Sequence, residues 1–537
     1  MIKSKKTRIW YGLYFLAAAF AIMLLATRSS FLYPCNNWDD ANSYFSVGKA
    51  LFHGKMPYRD VFDQKGMYLY FFYGLCYFVS HTTFLGVFLM EVLFAFADLC
   101  GIFSVLCLYI RKSTALVLTP AVLAVCFCSY SFYYGGSAEE LCFPFLIWGL
   151  FLGLRYFKQD YPEREMPVKM LLFAGGLAGM VANIKFTVLG FFFAWMMMVA
   201  FSYLTRKKFT GAVKACLWFL LGMLIPFVPW ILYFAVRKGL YYWYWGYVYI
   251  NVFSYSNLNA EGPSFGERIY TLAKILYYVI WKNLIYYVFL IPGFFFGTFC
   301  VGKKMLSHLF VPALAFFLFL GIYIGGSELP YYALPLAVFT VLGFALIGWI
   351  FEALEKHFIQ PEKSMPVWIP AIGSLAVSVV VVGLVSMNVF FMKVKREDIF
   401  LYQFRDIVMQ TENPTLLNVG CLDAGLYTVC DIVPTCQWFQ TQTIHMDEVY
   451  EEQKRYIKEG QTDYVIARDG YPEKINDRYE LAAEATFEEN GYNHNWYLFR
   501  LKDLNKTSRR SNLSEEKDRN CLVLAGNSNR ICIPVFI

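Results

Sequence analysis

FLGVFLMEVLFAFADLCGIFSVLCLYI, residues 84–110, carries only two charged side chains, Glu91 and Asp98, and ends against Arg111 and Lys112. A helix rises about 1.5 Å per residue, so about 20 apolar residues cross about 30 Å of hydrocarbon. This run is therefore long enough to span a membrane and is stopped by a basic pair. Upstream, residues 9–26 form a second such run behind Lys3, Lys5, Lys6 and Arg8, with no small-residue cleavage site after it, which reads as a retained first helix. Further runs fit 113–131, 140–157, 170–184, 187–205, 212–235, 284–300, 309–324, 333–351 and 367–388, about eleven spans in all. The connections 111–112, 155–169, 206–214, 303–304 and 352–363 are basic or mixed, which places them and the N-terminus on the cytoplasmic side. Residues 27–83 and the C-terminus then fall outside. Lys393, Lys395 and Arg396 run against that orientation.

Composition agrees. Hydrophobic residues make up 58% of the 537 and charged residues 16%, with a mean hydropathy of +0.44; soluble chains carry about 25% charged residues. The net charge of +7 sits in short clusters between apolar runs, which is the signal of membrane orientation and excludes a nucleic-acid partner. The chain reads as a membrane all-α protein: a transmembrane domain over 1–392 with a large first outer loop over 27–83, an extracytoplasmic α/β domain over 393–502, and a mobile tail over 503–537. Within the C-terminal domain, 397–412 and 445–459 read as helices and 415–420, 463–467 and 495–501 as strands. MYLYFFYGLCYFVS (67–80) is too short to cross and suits an interfacial or re-entrant helix. YYWYWGYVY (241–249) reads as an interfacial aromatic belt or as a platform for a sugar or lipid chain. Cys421, Cys430 and Cys436 leave a disulfide open, and no Cys/His spacing resembles a zinc site.

The first outer loop holds the densest chemistry. NNWDDANSYFSVGKALFHGKMPYRDVFDQKGMYLY (36–70) gathers Asp39, Asp40, Asp60, Asp63 and Lys65. Residues 41–53 read as an amphipathic helix lying along the membrane surface and ending at Gly54. Asp39 fits a helix cap as well as a catalytic carboxylate, and Asp60 and Asp63 fit solvated turns as well as ligand contacts.

This loop resembles the first outer loop of the GT-C superfamily, the polyprenyl-dependent glycosyltransferases that include the protein O-mannosyltransferases and the aminoarabinose transferases. That family carries an acidic pair after the first span, here Asp39-Asp40, and then a segment of the form G-x-x-P-Y-x-D-x-x-x-x-K followed by G or P, here GKMPYRDVFDQKG ending at Lys65-Gly66. YYGGSAEELCFP (133–144) is similar to a later acidic loop of the family and offers Glu139 and Glu140. GGLAGMVANIKFT (175–187) is similar to its glycine-rich turn with a lysine, here Lys185. ELPYYALPL (328–336), with Tyr331, is similar to its lysine-leucine-proline-tyrosine segment, although Glu328 stands in the lysine's place.

The resemblance implies a GT-C-like multi-span bundle that moves a sugar from a polyprenyl-phosphate carrier to a hydroxyl of a surface polymer, lipid or protein. Asp39 and Asp40 would be catalytic; Asp60, Asp63, Lys65, Glu139, Glu140, Lys185 and Tyr331 would bind substrate. No histidine stands where the family has a metal or substrate histidine, so metal ligands are unassigned and a divalent cation is open. The chemistry is coherent: a lipid phosphate leaves as a weak base and needs a cation beside it, while the acceptor hydroxyl needs a general base. Displacement from the opposite face would invert the anomeric centre. A transporter or flippase is the rival, because Glu91 and Asp98 lie seven residues apart on one face of an apolar helix. Those acids also fit hydrogen bonding inside the bundle or pairing with Lys185.

Overall fold

The computed structural model describes residues 5–255, 264–358, 366–489 and 492–502. The expected tail over 503–537 lies outside the described residues. The chain divides into two compact units, one formed by the residues up to Asn36 with Gln64–Val394, the other by Asn37–Asp63 with the residues from Lys395 onward.

The first unit is a helical bundle. Eight of its described helices are long and apolar enough to cross a membrane: Thr7–Ala26, Leu85–Leu106, Ala138–Asp160, Phe186–Leu204, Phe209–Val236, Met305–Tyr323, Pro330–His357 and Trp368–Val385. A ninth is added if Phe265–Lys282 and Leu284–Phe299, which meet at 111°, form one broken span. The eleven expected spans included two more, which here are the shorter helices Lys112–Phe127 and Val168–Ala182. At 16 and 15 residues they rise only about 24 and 22 Å. The apolar run at 67–80 folds as an 11-residue helix, Met67–Tyr77, which is too short to cross. Ala138–Asp160 is the most enclosed of these spans and Trp368–Val385 the most open. In the aromatic stretch, Tyr241, Tyr244 and Tyr249 are exposed, whereas Tyr247 is buried and donates to the Ala182 carbonyl at 2.5 Å.

The second unit is a small α/β assembly. Its strands β1 (Leu416–Val419), β2 (Tyr464–Arg468), β3 (Tyr479–Glu489) and β4 (Tyr492–Leu501) lie in the order β1-β2-β4-β3. β1 and β2 run parallel; β4 is antiparallel to both its neighbours. Helix Asp447–Glu459 forms the crossover between β1 and β2, as parallel pairing requires. No disulfide joins Cys421, Cys430 and Cys436, all of which are buried.

Helix Asp39–Phe52 belongs to this unit, and every residue in it from Asp40 onward is buried. The expectation that it lies along a membrane surface is therefore corrected. An interfacial helix keeps its polar face in water, whereas here Ser43, Ser46 and Lys49 are satisfied inside the unit. Ser43 donates to Gln440 Oε1 at 2.6 Å, Ser46 to Asp423 Oδ2 at 2.5 Å, and Lys49 to the Tyr427 carbonyl at 2.8 Å.

Candidate active site

In the bundle, the site begins at the start of helix Ala138–Arg155. Ser137 caps it, accepting the Glu140 amide at 2.9 Å, which is the usual duty of a serine at that position. Two carboxylates then fall in the first turn, where the exposed amides favour negative charge. Glu140 Oε2 accepts the Gly136 amide at 2.7 Å. Glu139 Oε1 takes both an ion pair and a hydrogen bond from Lys185. The Lys185 ammonium also lies 3.9 Å from the ring centre of Tyr332 and 5.3 Å from that of Tyr331. Glu139 Oε2 and Glu140 Oε1 are buried and have no hydrogen-bond partner among the described residues.

Lys65 is drawn to the same place by backbone geometry. The Gly66 amide donates to the Ile184 carbonyl at 3.2 Å and the Tyr68 amide to the Asn183 carbonyl at 3.1 Å. A Cβ on Gly66 would stand 2.0 Å from the Asn183 oxygen, so the approach of the two segments demands glycine. The Lys-Gly dipeptide thus acquires a physical meaning: the glycine lets Lys65 sit beside the turn that carries Lys185. Lys65 is close enough to act electrostatically on Glu139.

Aromatic rings link these lysines to a cation that sequence reading passed over. Tyr331 lies 6.0 Å from Tyr133, which stacks on Tyr134 at 4.1 Å. The Arg28 guanidinium covers the Tyr134 ring at 3.4 Å and donates to Asn388 Oδ1 at 3.0 Å. Arg28 is nearly buried, and that burial pushes its ionisation below the ordinary range. The only sequence signal was a basic residue directly after the first span. Beside it, Thr27 donates to Glu91 at 2.8 Å. Gly135, at φ +86°, passes so near that a Cβ there would lie 2.2 Å from Thr27 Oγ1. Glu91 is thus tied to a neighbouring helix end, Lys185 pairs with Glu139, and the Asp98 oxygens have no partner among the described residues. Lys185, faced by two aromatic rings and with Lys65 acting on the same Glu139, is suited to holding an anion.

The remaining sequence candidates lie in the other unit. Asp39 and Asp40 open helix Asp39–Phe52, and Asp39 Oδ1 accepts the Asp40 amide at 2.9 Å. Asp60 is engaged in its own turn: it pairs with Arg59 at 2.7 Å and accepts the Met56 amide at 2.7 Å. Burial raises its ionisation, but those two partners outweigh it and hold the carboxyl below the usual range. Asp63 is buried. Among the described residues, no group of three or more His, Cys, Asp or Glu is arranged to hold a metal ion.

Taken together, the bundle, the large loop after its first helix and the terminal sheet define a GT-C-like membrane fold. The particular likeness is to two solved structures of ArnT from Cupriavidus metallidurans. One is bound to undecaprenyl phosphate and superposes with a TM-score of 0.55 at 12% identity, covering 92% of this chain and 98% of that chain. The other, in the apo state, gives 0.52 at 12% identity over the same shares. No protein-family model matches the sequence, and no curated protein matches it.

Proposed function

We propose that the protein is a membrane glycosyltransferase that moves a sugar from a polyprenyl-phosphate carrier to a hydroxyl acceptor on the outer face of the membrane, with inversion at the sugar. The observation that carries this reading is the pairing of Lys65 with the Lys185 turn through Gly66, against the rings of Tyr331 and Tyr332. The fold shared with an undecaprenyl-phosphate-bound ArnT supports it. Bond breaking places growing negative charge on the lipid phosphate, and a lysine beside it in surroundings poor in water offsets that charge strongly. The leaving phosphate takes the electron pair of the glycosidic C–O bond; the acceptor oxygen forms the new bond and gives up its proton. Asp39 is the base assigned to that proton, with Asp40 second. The sugar and the acceptor, whether polymer, lipid or protein, are left to assay.

The test is turnover with a labelled polyprenyl-phosphate sugar. Asp39→Asn should insert, accumulate and lose about 10²–10⁴ in rate, the range of general-base catalysis. Wild-type turnover in that variant removes Asp39 from the mechanism; full activity of both Asp39→Asn and Asp40→Asn rejects a catalytic acidic pair.

A further inference from the structure

In α/β sheets, ligands settle at the carboxyl ends of parallel strands, where loops leave backbone and polar groups unspent. The second unit has one such end, the loop that follows β1 beside β2. Its residues make the contacts a ligand-binding loop would make, but to this chain's own helix Asp39–Phe52. Asp423 is wholly buried: its Oδ1 accepts the Gly425 amide at 2.8 Å and its Oδ2 the Ser46 hydroxyl at 2.5 Å. Gly425 has φ +97° and faces Asn42, so the turn that aims Asp423 is one a side chain would strain. Thr428 donates to Asn42 Oδ1 at 2.7 Å, and Lys49 reaches Tyr427 and Asp431.

The far side of the same loop is held as well. The Phe62 amide donates to the Gln437 carbonyl at 2.9 Å, Gln442 donates to the Phe62 carbonyl at 3.2 Å, and the Phe62 and Trp438 rings lie 4.6 Å apart. The loop is therefore gripped at its helix and again at its return.

We infer that the C-terminal segment of this unit is a clamp whose ligand is residues 37–63 of the first outer loop, and that Asp423 and Ser46 are positioning residues that orient the helix carrying Asp39 and Asp40. The second clause rests on the transferase reading; the first does not. The chemistry favours a fixed geometry over a loose tether, because a reacting group displaced by about 1 Å loses about 10²-fold in rate.

The experiment uses the full-length protein in detergent, comparing wild type with Asp423→Ala, Ser46→Ala and the near-isosteric Asp423→Asn. Amide hydrogen exchange over 39–52 is read beside kcat and KM for a panel of tritiated undecaprenyl-phosphate hexoses and pentoses, with binding of undecaprenyl phosphate as a separate measurement. Asp423→Ala and Ser46→Ala should exchange faster over 39–52 but not over the membrane helices, and kcat should fall about ten- to a hundredfold with KM and undecaprenyl phosphate affinity unchanged. Asp423→Asn, which keeps the Gly425 bond, should recover part of both. Unchanged exchange over 39–52 overturns the clamp. Faster exchange with unchanged kcat overturns the positioning role. Absence of transfer by the wild type rejects the transferase reading instead, and the exchange result still decides the clamp.

Discussion

Among the described residues, two lysines are buried against acids, Lys49 and Lys185, and their surroundings differ. Lys49 is fully enclosed and spends its ammonium on the Tyr427 carbonyl at 2.8 Å and on Asp431 at 3.5 Å. Lys185 keeps about a tenth of its side chain accessible, meets one oxygen of Glu139, and also faces the rings of Tyr331 and Tyr332. An aromatic face attracts a cation without saturating it as a second carboxylate would. Lys49 meets a carbonyl and a carboxylate; Lys185 meets one carboxylate oxygen and two aromatic faces. Buried charge alone is thus a poor guide to function. What surrounds the charge decides.

The largest effect expected from this contrast is at Lys185. Lys185→Ala should lower transfer by about 10²–10³, the usual consequence of removing one donor to developing charge. It also leaves Glu139 buried without its ion-pair partner, which costs stability. The double variant Lys185→Ala/Glu139→Gln separates the two, because it removes the orphaned charge. Thermal stability in detergent should return toward wild type in the double variant, while turnover should not. Recovery of turnover would make Lys185 a counter-ion for Glu139 and nothing more.

Lys49 should show the opposite pattern, a loss in stability of about 1–2 kcal/mol for Lys49→Met, because the buried Tyr427 carbonyl loses this donor while Asp431, about a third exposed, stays solvated. Its pH dependence sharpens the point. Burial pushes the Lys49 ammonium down to about 8, although Asp431 and Asp423 pull it up. An unfolded lysine titrates near 10.4, so between those values the unfolded chain binds more protons and stability rises with pH. Wild type should therefore gain on Lys49→Met by about 3 kcal/mol between pH 8 and 10.5, followed by the melting of Trp438 and Trp496 fluorescence. Asp423, pushed up to about 6 by burial, is present in both proteins and largely cancels in the difference. A flat difference across that range would mean that Lys49 is not enclosed as described.

These two sites also mark how far sequence reaches. The spans were legible because hydropathy is a local property of about 20 residues. The strands β1, β2 and β4 were legible at 415–420, 463–467 and 495–501 for the same local reason. β3 was not: YELAAEATFEE has the alanine and glutamate content of a helix, and it is a strand because β4 pairs with it, Glu480 opposite Arg500. The Asn490-Gly491 dipeptide was the hairpin signal available. Helix 41–53 was legible as a helix but not in its placement. Its serines and lysine looked water-facing, and their acceptors lie up to 397 residues away. Among the candidate residues, Lys65, Glu139 and Lys185 are brought to one turn, Arg28 and Tyr332 were missed, and Asp60 is committed to its own loop.

Asp60 offers the smallest effect and the finest distinction. It accepts the Met56 amide at 2.7 Å and pairs with Arg59 in a turn where Tyr58 adopts φ +69°. Both partners are local, and the side chain is partly exposed, so the interaction belongs among modest, screened pairs. Asp60→Asn keeps an acceptor for Met56 and loses only the charge, which should cost about 1 kcal/mol or less at neutral pH. The folded carboxyl titrates below its ordinary value, so the stability it supplies is present above about 3.8 and fades as pH falls through the folded value. Wild type and Asp60→Asn should accordingly converge in acid. Turnover of Asp60→Asn should stay within tenfold of wild type if the carboxylate only shapes the loop. A loss beyond a hundredfold at unchanged stability would place Asp60 against the substrate, and Arg59 would then be the residue that orients it.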